Sequence, residues 1–347
     1  MRLNIGQLTD IVQHNCNISD AQYAGNYSMC TFLLKMRELY RWENQIPLTG
    51  RLDKADIGDW LIAREQSWEL LDEEEFRVLP INAREFDPFD ADTINELLIP
   101  EGYIYSSGYG VFGKPHFFLG KLDEFQRHDD ALVFISSCEY ARDLVAPPAM
   151  TRNNQVYLRK ESIRRFIWEK IEEWQWRKQP ESPLSKVLQT TDTGDMEAVL
   201  DTLTHEQTNV MLLHERGELI AGNLLGEQWE HMLALISGSR SEFIARAVRD
   251  HLADALVTLP ELITANAQSS LHFYFANYTG LRKTIYPELL SAYNTFALQG
   301  DITPLQNIIL PGQEKWLNEA LRIMQFYNET GDKLAKKIES LYQDRLS

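Results

Sequence analysis

Cysteine is scarce in this chain. Only Cys16, Cys30 and Cys138 occur in 347 residues, and no Cys-x-x-Cys is present. That excludes a disulfide framework and makes a reducing, cytoplasmic setting the expected one. Long apolar runs are missing as well. No stretch approaches the roughly 18 consecutive apolar residues of a membrane span. The first ten residues lack the apolar core of a signal peptide. Basic charge is in deficit: 34 Lys and Arg stand against 51 Asp and Glu, a net of −17. A surface of that sign repels phosphate backbones, so broad nucleic-acid binding is not expected. Neither an internal repeat nor a low-complexity tract interrupts the chain.

What is present is an ordinary globular composition, 44% hydrophobic, in a chain long enough for two domains or one large one. The first third reads as mixed. Met29 to Trp42 is a strongly apolar helix, and a second helix is expected around 57–71. The acidic run Asp72-Glu73-Glu74-Glu75 reads as a solvated turn. From Gly102 onward, short aromatic runs bounded by glycine suggest strands: Tyr103–Tyr105, His116–Leu119 and Ala131–Ile135. They predict a small antiparallel sheet over about 102–138. Ala146-Pro147-Pro148-Ala149 is the clearest punctuation. It divides a mixed α/β region, 1–150, from an all-α domain, 151–347. The expected class is α+β, mostly α, with a C-terminal helical bundle.

Five of the eight histidines fall between His205 and His272, several of them four residues from a carboxylate. On a helix that spacing puts both side chains on one face, as in the metal sites of helical bundles. At about 100° per residue, Glu218 lies near 40° from His214, with Leu225 near 20°, Trp229 near 60° and Met232 near 0°. The pair therefore shares an apolar stripe if the helix is continuous. Glu227 and His231 fall on the opposite side unless Gly222 or Gly226 breaks the helix. Asp250 has Arg246 four residues before it for a surface ion pair. The candidate metal ligands are therefore His214, Glu218, His251, Asp254 and His272, with Glu215 beside them. Such nitrogen and oxygen ligands suit iron, manganese or zinc. A plain buried His–Glu bond between helices explains the same pair without metal.

Other motifs carry less. Gly108-Tyr109-Gly110-Val111-Phe112-Gly113-Lys114 fits G-x-G-x-x-G, but Pro115 and a strand-like run follow where a dinucleotide fold needs a helix. No His-Arg-Asp or Asp-Phe-Gly supports a kinase. A glycine-rich hairpin connection is expected. Cys138 with His116 as its base is a nucleophile candidate, and His14, Cys16 and Cys30 offer three ligands of an incomplete zinc site. Ser19 or Asp20 can cap a helix. Residues 151–180 carry eight basic against four acidic residues. This island, with Arg159, Lys160, Arg164, Arg165, Lys170, Arg177, Lys178, Trp168 and Trp176, suggests docking to a protein partner through the helix 159–178.

The runs Cys-Asn-Ile-Ser-Asp-Ala (16–21), Leu-Leu-Lys-Met-Arg-Glu (33–38) and Arg-Asp-His-Leu-Ala-Asp-Ala-Leu (249–256) resemble a bacterial protein family with no assigned activity. The resemblance implies no catalytic residues. The C-terminal helices are also similar in texture to haem-oxygenase-like metal-binding bundles, an analogy of fold alone. Two function classes stay open: a helical bundle with a metal or small-ligand site near His214 and Glu218, and a non-catalytic interaction protein with an acidic surface.

Overall fold

The computed structural model describes residues 3–346 apart from 111–112, 129–130, 178–179, 190–193 and 330. The chain divides into two compact units, Met1–Arg127 with Leu132–Trp168, and His128–Ala131 with Glu169–Ser347. The class is α+β and mostly helical, with the strands confined to the N-terminal half.

The first unit opens with α1 (Ile5–Tyr23), α2 (Met29–Glu43) and α3 (Lys54–Glu69). Asn4, Ser28 and Asp53 cap them by accepting backbone N–H bonds. Ser19 and Asp20 are not caps. They lie inside α1 and turn their side chains into the core. A short hairpin, β1 (Leu79–Ile81) and β2 (Arg84–Phe86), and α4 (Ala91–Leu98) precede the main sheet.

That sheet has the order β3 (Tyr103–Tyr109), β4 (Pro115–Arg127), β5 (Leu132–Arg142), β7 (Gln155–Arg159), β6 (Ala149–Arg152). Alternation sorts its side chains. Phe117 and Leu119 pack with Leu8, Val12 and Cys16 of α1, whereas Phe118 joins Ile104, Phe134 and Tyr157. The sheet runs past the proline pair that looked like its end. Pro147 and Pro148 stop pairing only locally. Asn153 and Asn154, both at positive φ, then close a two-residue hairpin that lays β7 parallel to β5. The strand region therefore ends at Arg159, not near 138, and the helical part starts after it.

Beyond β7 every element among the described residues is helical: α5 (Lys160–Arg177), α6 (Pro183–Gln189), α7 (Met196–Leu225), α8 (Glu227–Leu235) and α9 (Arg240–Ala253) come first. They are followed by α10 (Leu259–Thr264), α11 (Gln268–Ala276), α12 (Gly280–Ile285), α13 (Pro287–Gln299), α14 (Thr303–Ile309), α15 (Gly312–Met324) and α16 (Asp332–Leu341). The core gathers Ala221 and Leu225 of α7, Trp229 of α8, Ile244, Val248 and Leu252 of α9, and Trp316 of α15.

Two local features fix the geometry that follows. At Gly217 a Cβ would come 2.5 Å from the carbonyl oxygen of Ala253, so α7 and α9 touch backbone to backbone there. Between α9 and α10 the chain makes one π-helical turn, Asp254–Thr258, in which Leu259 N–H bonds to the Asp254 carbonyl. Pro260 has no N–H for an α-helical bond and its ring crowds the preceding turn, which favours the wider winding.

A buried polar cluster between helices as the candidate functional site

α7 is continuous across His214 and Glu218 and stops at Gly226, whose φ is 71°. Trp229 and Met232 therefore belong to α8 and say nothing about the face of His214. Leu225 and Ala221 do share its side of α7, and both are buried. The Gly217 contact sets this face against α9, and His214 meets Asp254 there. Its Nδ1 donates to Asp254 Oδ1 at 2.8 Å. Its Nε2 lies 3.4 Å from Glu218 Oε1.

Asp254 is fully buried and heavily partnered. Tyr274 donates its hydroxyl to Oδ2 at 2.7 Å, and Arg282 Nη2 pairs with the same oxygen. Arg249 Nη2 holds Glu218 Oε2 at 3.0 Å. Ligand atoms of His214, Glu218 and Asp250 all lie within 4.8 Å of one another. Arg246 does not satisfy Asp250 as its spacing suggested. It turns to Glu242 instead, at 2.7 Å.

Electrostatics follow from this crowding. Burial would lower the imidazole pKa of His214, but the Asp254 carboxylate and then Glu218 override it and raise it well above its usual value. Glu218, despite burial, is drawn down to about 2 by His214 and Arg249. Asp254 is held well below the usual carboxylate range because Arg282 and His214 outweigh its burial. Asp250 moves the other way, to about 6, through burial and the negative charge of Glu218 beside it. Two carboxylates, one imidazole and an ordering carboxylate thus occupy one polar site.

The other expected ligands go elsewhere. His251 is buried, stacks on Trp316 with centroids 4.3 Å apart, and donates from Nε2 to the Arg282 carbonyl at 3.1 Å. Burial and then Arg282 push it down to about 3, so it stays neutral. His272 bonds the Tyr293 hydroxyl at 2.9 Å and stacks on Phe296. Neither belongs to the set within metal-binding distance. Glu227 is exposed on α8, and His231 bonds Tyr327.

Family comparison fits this two-part organisation. The profile of a family of unknown function (DUF6866) matches with its N-terminal domain over residues 7–159 and its C-terminal domain over residues 164–345. The chain belongs to the DUF6866 family. No curated protein and no solved structure matches it. The polar cluster lies wholly within the DUF6866 C-terminal domain. Among the described residues no helix is long and apolar enough to cross a membrane.

The DUF6866 N-terminal domain has a buried ionic cluster of its own, which the sequence did not announce. Lys114, the last residue of the glycine-rich motif, pairs with Asp20 at 2.6 Å. His116 Nδ1 donates to Asp143 Oδ2 at 2.5 Å. Asp20 and Asp143 also accept the backbone N–H groups of Leu144 and Ala146. The motif itself joins antiparallel β3 and β4, with Val111 and Phe112 outside the described residues.

Cys138 is not served by His116. Its register partner is Lys121, five positions further along β4, so the two lie roughly 17 Å apart at about 3.3 Å per residue. Nor do His14, Cys16 and Cys30 converge. His14 pairs with Glu74, Cys16 donates to the Phe117 carbonyl, and Cys30 is exposed. In the basic helix, Lys160 pairs with Asp123 and Glu124, and Arg165 donates to the carbonyls of Val145 and Ala146. Arg159, just before it, pairs with Glu139, and Arg177 with Glu173. Trp168 is buried and Trp176 exposed, while Lys178 lies outside the described residues.

Proposed function

We propose that the C-terminal domain binds a divalent transition-metal ion through His214 Nε2, Glu218 and Asp250. The observation that carries this reading is the convergence of one imidazole and two carboxylates within 4.8 Å. Metal–ligand bonds of about 2.1 Å in a tetrahedral shell separate donor atoms by about 3.4 Å. The His214–Glu218 distance is 3.4 Å. Asp254 supports the same reading, since a carboxylate on the far ring nitrogen fixes the tautomer and aims Nε2. Three protein donors leave coordination positions for water or a substrate, the pattern of a reactive rather than a purely structural site. Iron, manganese and zinc fit the donors. His251, Asp254 and His272 are not ligands in this scheme. Asp254 orients His214, and the other two histidines pack the core.

Equilibrium dialysis of chelator-treated protein against Mn²⁺, Zn²⁺ or Fe²⁺ tests it. One equivalent should bind to the native chain and none to His214→Ala. Asp254→Asn should weaken binding by about 10–100-fold. Binding that is equal in the native chain and His214→Ala would falsify the assignment.

A second reading, a docking protein, is favoured by a different observation. On α2, Met29, Leu33 and Leu34 are 70%, 44% and 48% exposed. Met29 and Leu33 share one face at i,i+4 spacing, and Leu34 lies about 100° further round the helix, so the exposed apolar side chains span a broad side of α2 of the kind that partners cover. Leu33→Asp/Leu34→Asp should leave the melting temperature unchanged and abolish any complex that this face forms. Loss of folding in that variant would assign the face to the core instead.

A further inference from the structure

The helical domain contains a cavity of about 400 Å³ between α7, α10 and α11, apart from the residues of the metal proposal. Its walls have two characters. Val210, Leu213 and Leu262 make them apolar, while Glu206 and Glu261 bring negative charge. No lysine or arginine lines the cavity among the described residues, and His205, an exposed side chain, is the one basic group in its lining. Glu206 is half-buried, and Ser269 donates its hydroxyl to Oε2 at 2.7 Å, which fixes the carboxylate and leaves the second oxygen open. Neither Glu206 nor Glu261 forms an ion pair with a described residue.

Two carboxylates without cationic partners, set over apolar walls, complement a cation that carries hydrocarbon. A bare metal ion is a poorer match. Among the described residues, only His214, Glu218 and Asp250 bring three such donors within 4.8 Å. Anions meet two negative charges. A neutral apolar ligand would leave the carboxylates desolvated and unpaired, which is costly.

We propose that this cavity is a binding site for a small primary alkylammonium compound. The ammonium group donates to Glu206 and Glu261, and the alkyl chain lies on Val210, Leu213 and Leu262. The site is independent of metal binding at His214.

Calorimetric titration of the full chain with n-hexylammonium, 1-hexanol and hexanoate tests this. Saturable one-to-one binding is expected for n-hexylammonium alone. Glu206→Gln should weaken it roughly tenfold, as expected for loss of one charged hydrogen bond. Glu261 is exposed, so Glu261→Gln provides a second charge deletion that does not touch the core. Ala265 is an exposed wall residue, and Ala265→Trp should fill the cavity and remove binding without altering the melting temperature. Three results overturn the proposal: hexanol binding as tightly as n-hexylammonium, affinity unchanged in both glutamine variants, or uptake by Ala265→Trp equal to that of the native chain. The last would mark general attraction to an acidic surface.

Discussion

Asp250→Asn should stabilise the metal-free protein, and the gain should depend on pH. In the folded chain burial and Glu218 raise the Asp250 pKa from 3.8 to about 6. A raised folded-state pKa means that the native state keeps a proton which the unfolded chain has already released. Native stability therefore falls as pH climbs from about 4 to about 6, and the full penalty applies above that window. A shift of two units corresponds to about 3 kcal/mol, an upper figure because the side chain is half-buried. Asparagine has nearly the same shape and no charge to lose. Urea unfolding of both proteins in chelator, at pH 4 and pH 8, isolates the effect, because titration of other groups largely cancels in the difference. The gain should be near zero at pH 4 and reach 2–3 kcal/mol at pH 8, about the worth of two tenfold factors. Adding Mn²⁺ or Zn²⁺ should then reverse the order. The native chain gains binding energy that the variant lacks. An equal effect of the substitution at both pH values would refute the reasoning, since it would mean that Asp250 and Glu218 do not share one electrostatic site.

The contact at Gly217 predicts a contrast along one helix. Gly217→Ala should cost about 1–3 kcal/mol, because its Cβ meets the Ala253 backbone, which cannot yield without separating α7 from α9. Gly222→Ala, where a Cβ meets nothing within 4 Å, should stabilise by up to about 1 kcal/mol through helix propensity. Thermal melts that rank the two alike would contradict the close helix crossing. In the N-terminal domain, Lys114→Met should destabilise by about 3–5 kcal/mol, since it leaves the buried Asp20 without its cation. A loss below 1 kcal/mol in guanidinium unfolding would show that the pair is not held as described.

Chain chemistry close in sequence was legible before any fold was known. The aromatic runs bounded by glycine gave β3 and β4 because period-two patterning and turn residues act locally. The placing of His214 and Glu218 on one helical face is likewise a property of a few neighbouring residues, whereas Ser19 and Asp20, read from sequence as caps, lie inside α1 with buried side chains. The Asn153-Asn154 turn is equally local, but the neighbouring proline pair is the stronger punctuation and masks it. The signal that would have admitted Asp250 was its position one turn before Asp254. Arg246 concealed it by offering an ordinary partner at the right spacing.

What tertiary structure alone decided is which of these groups share a site. Sequence placed five histidines within 70 residues, yet only His214 reaches the carboxylate set. A helix crossing made possible by Gly217, and a wide turn beside Pro260, bring Asp250 and Asp254 to it. His251 and His272 follow the rotation of their own helices into aromatic packing. Helical spacing fixes the angle between residues on one helix, and local patterning reads that angle reliably. The distance between two helices depends on which backbone atoms can touch, and that depends on residues far apart in the chain.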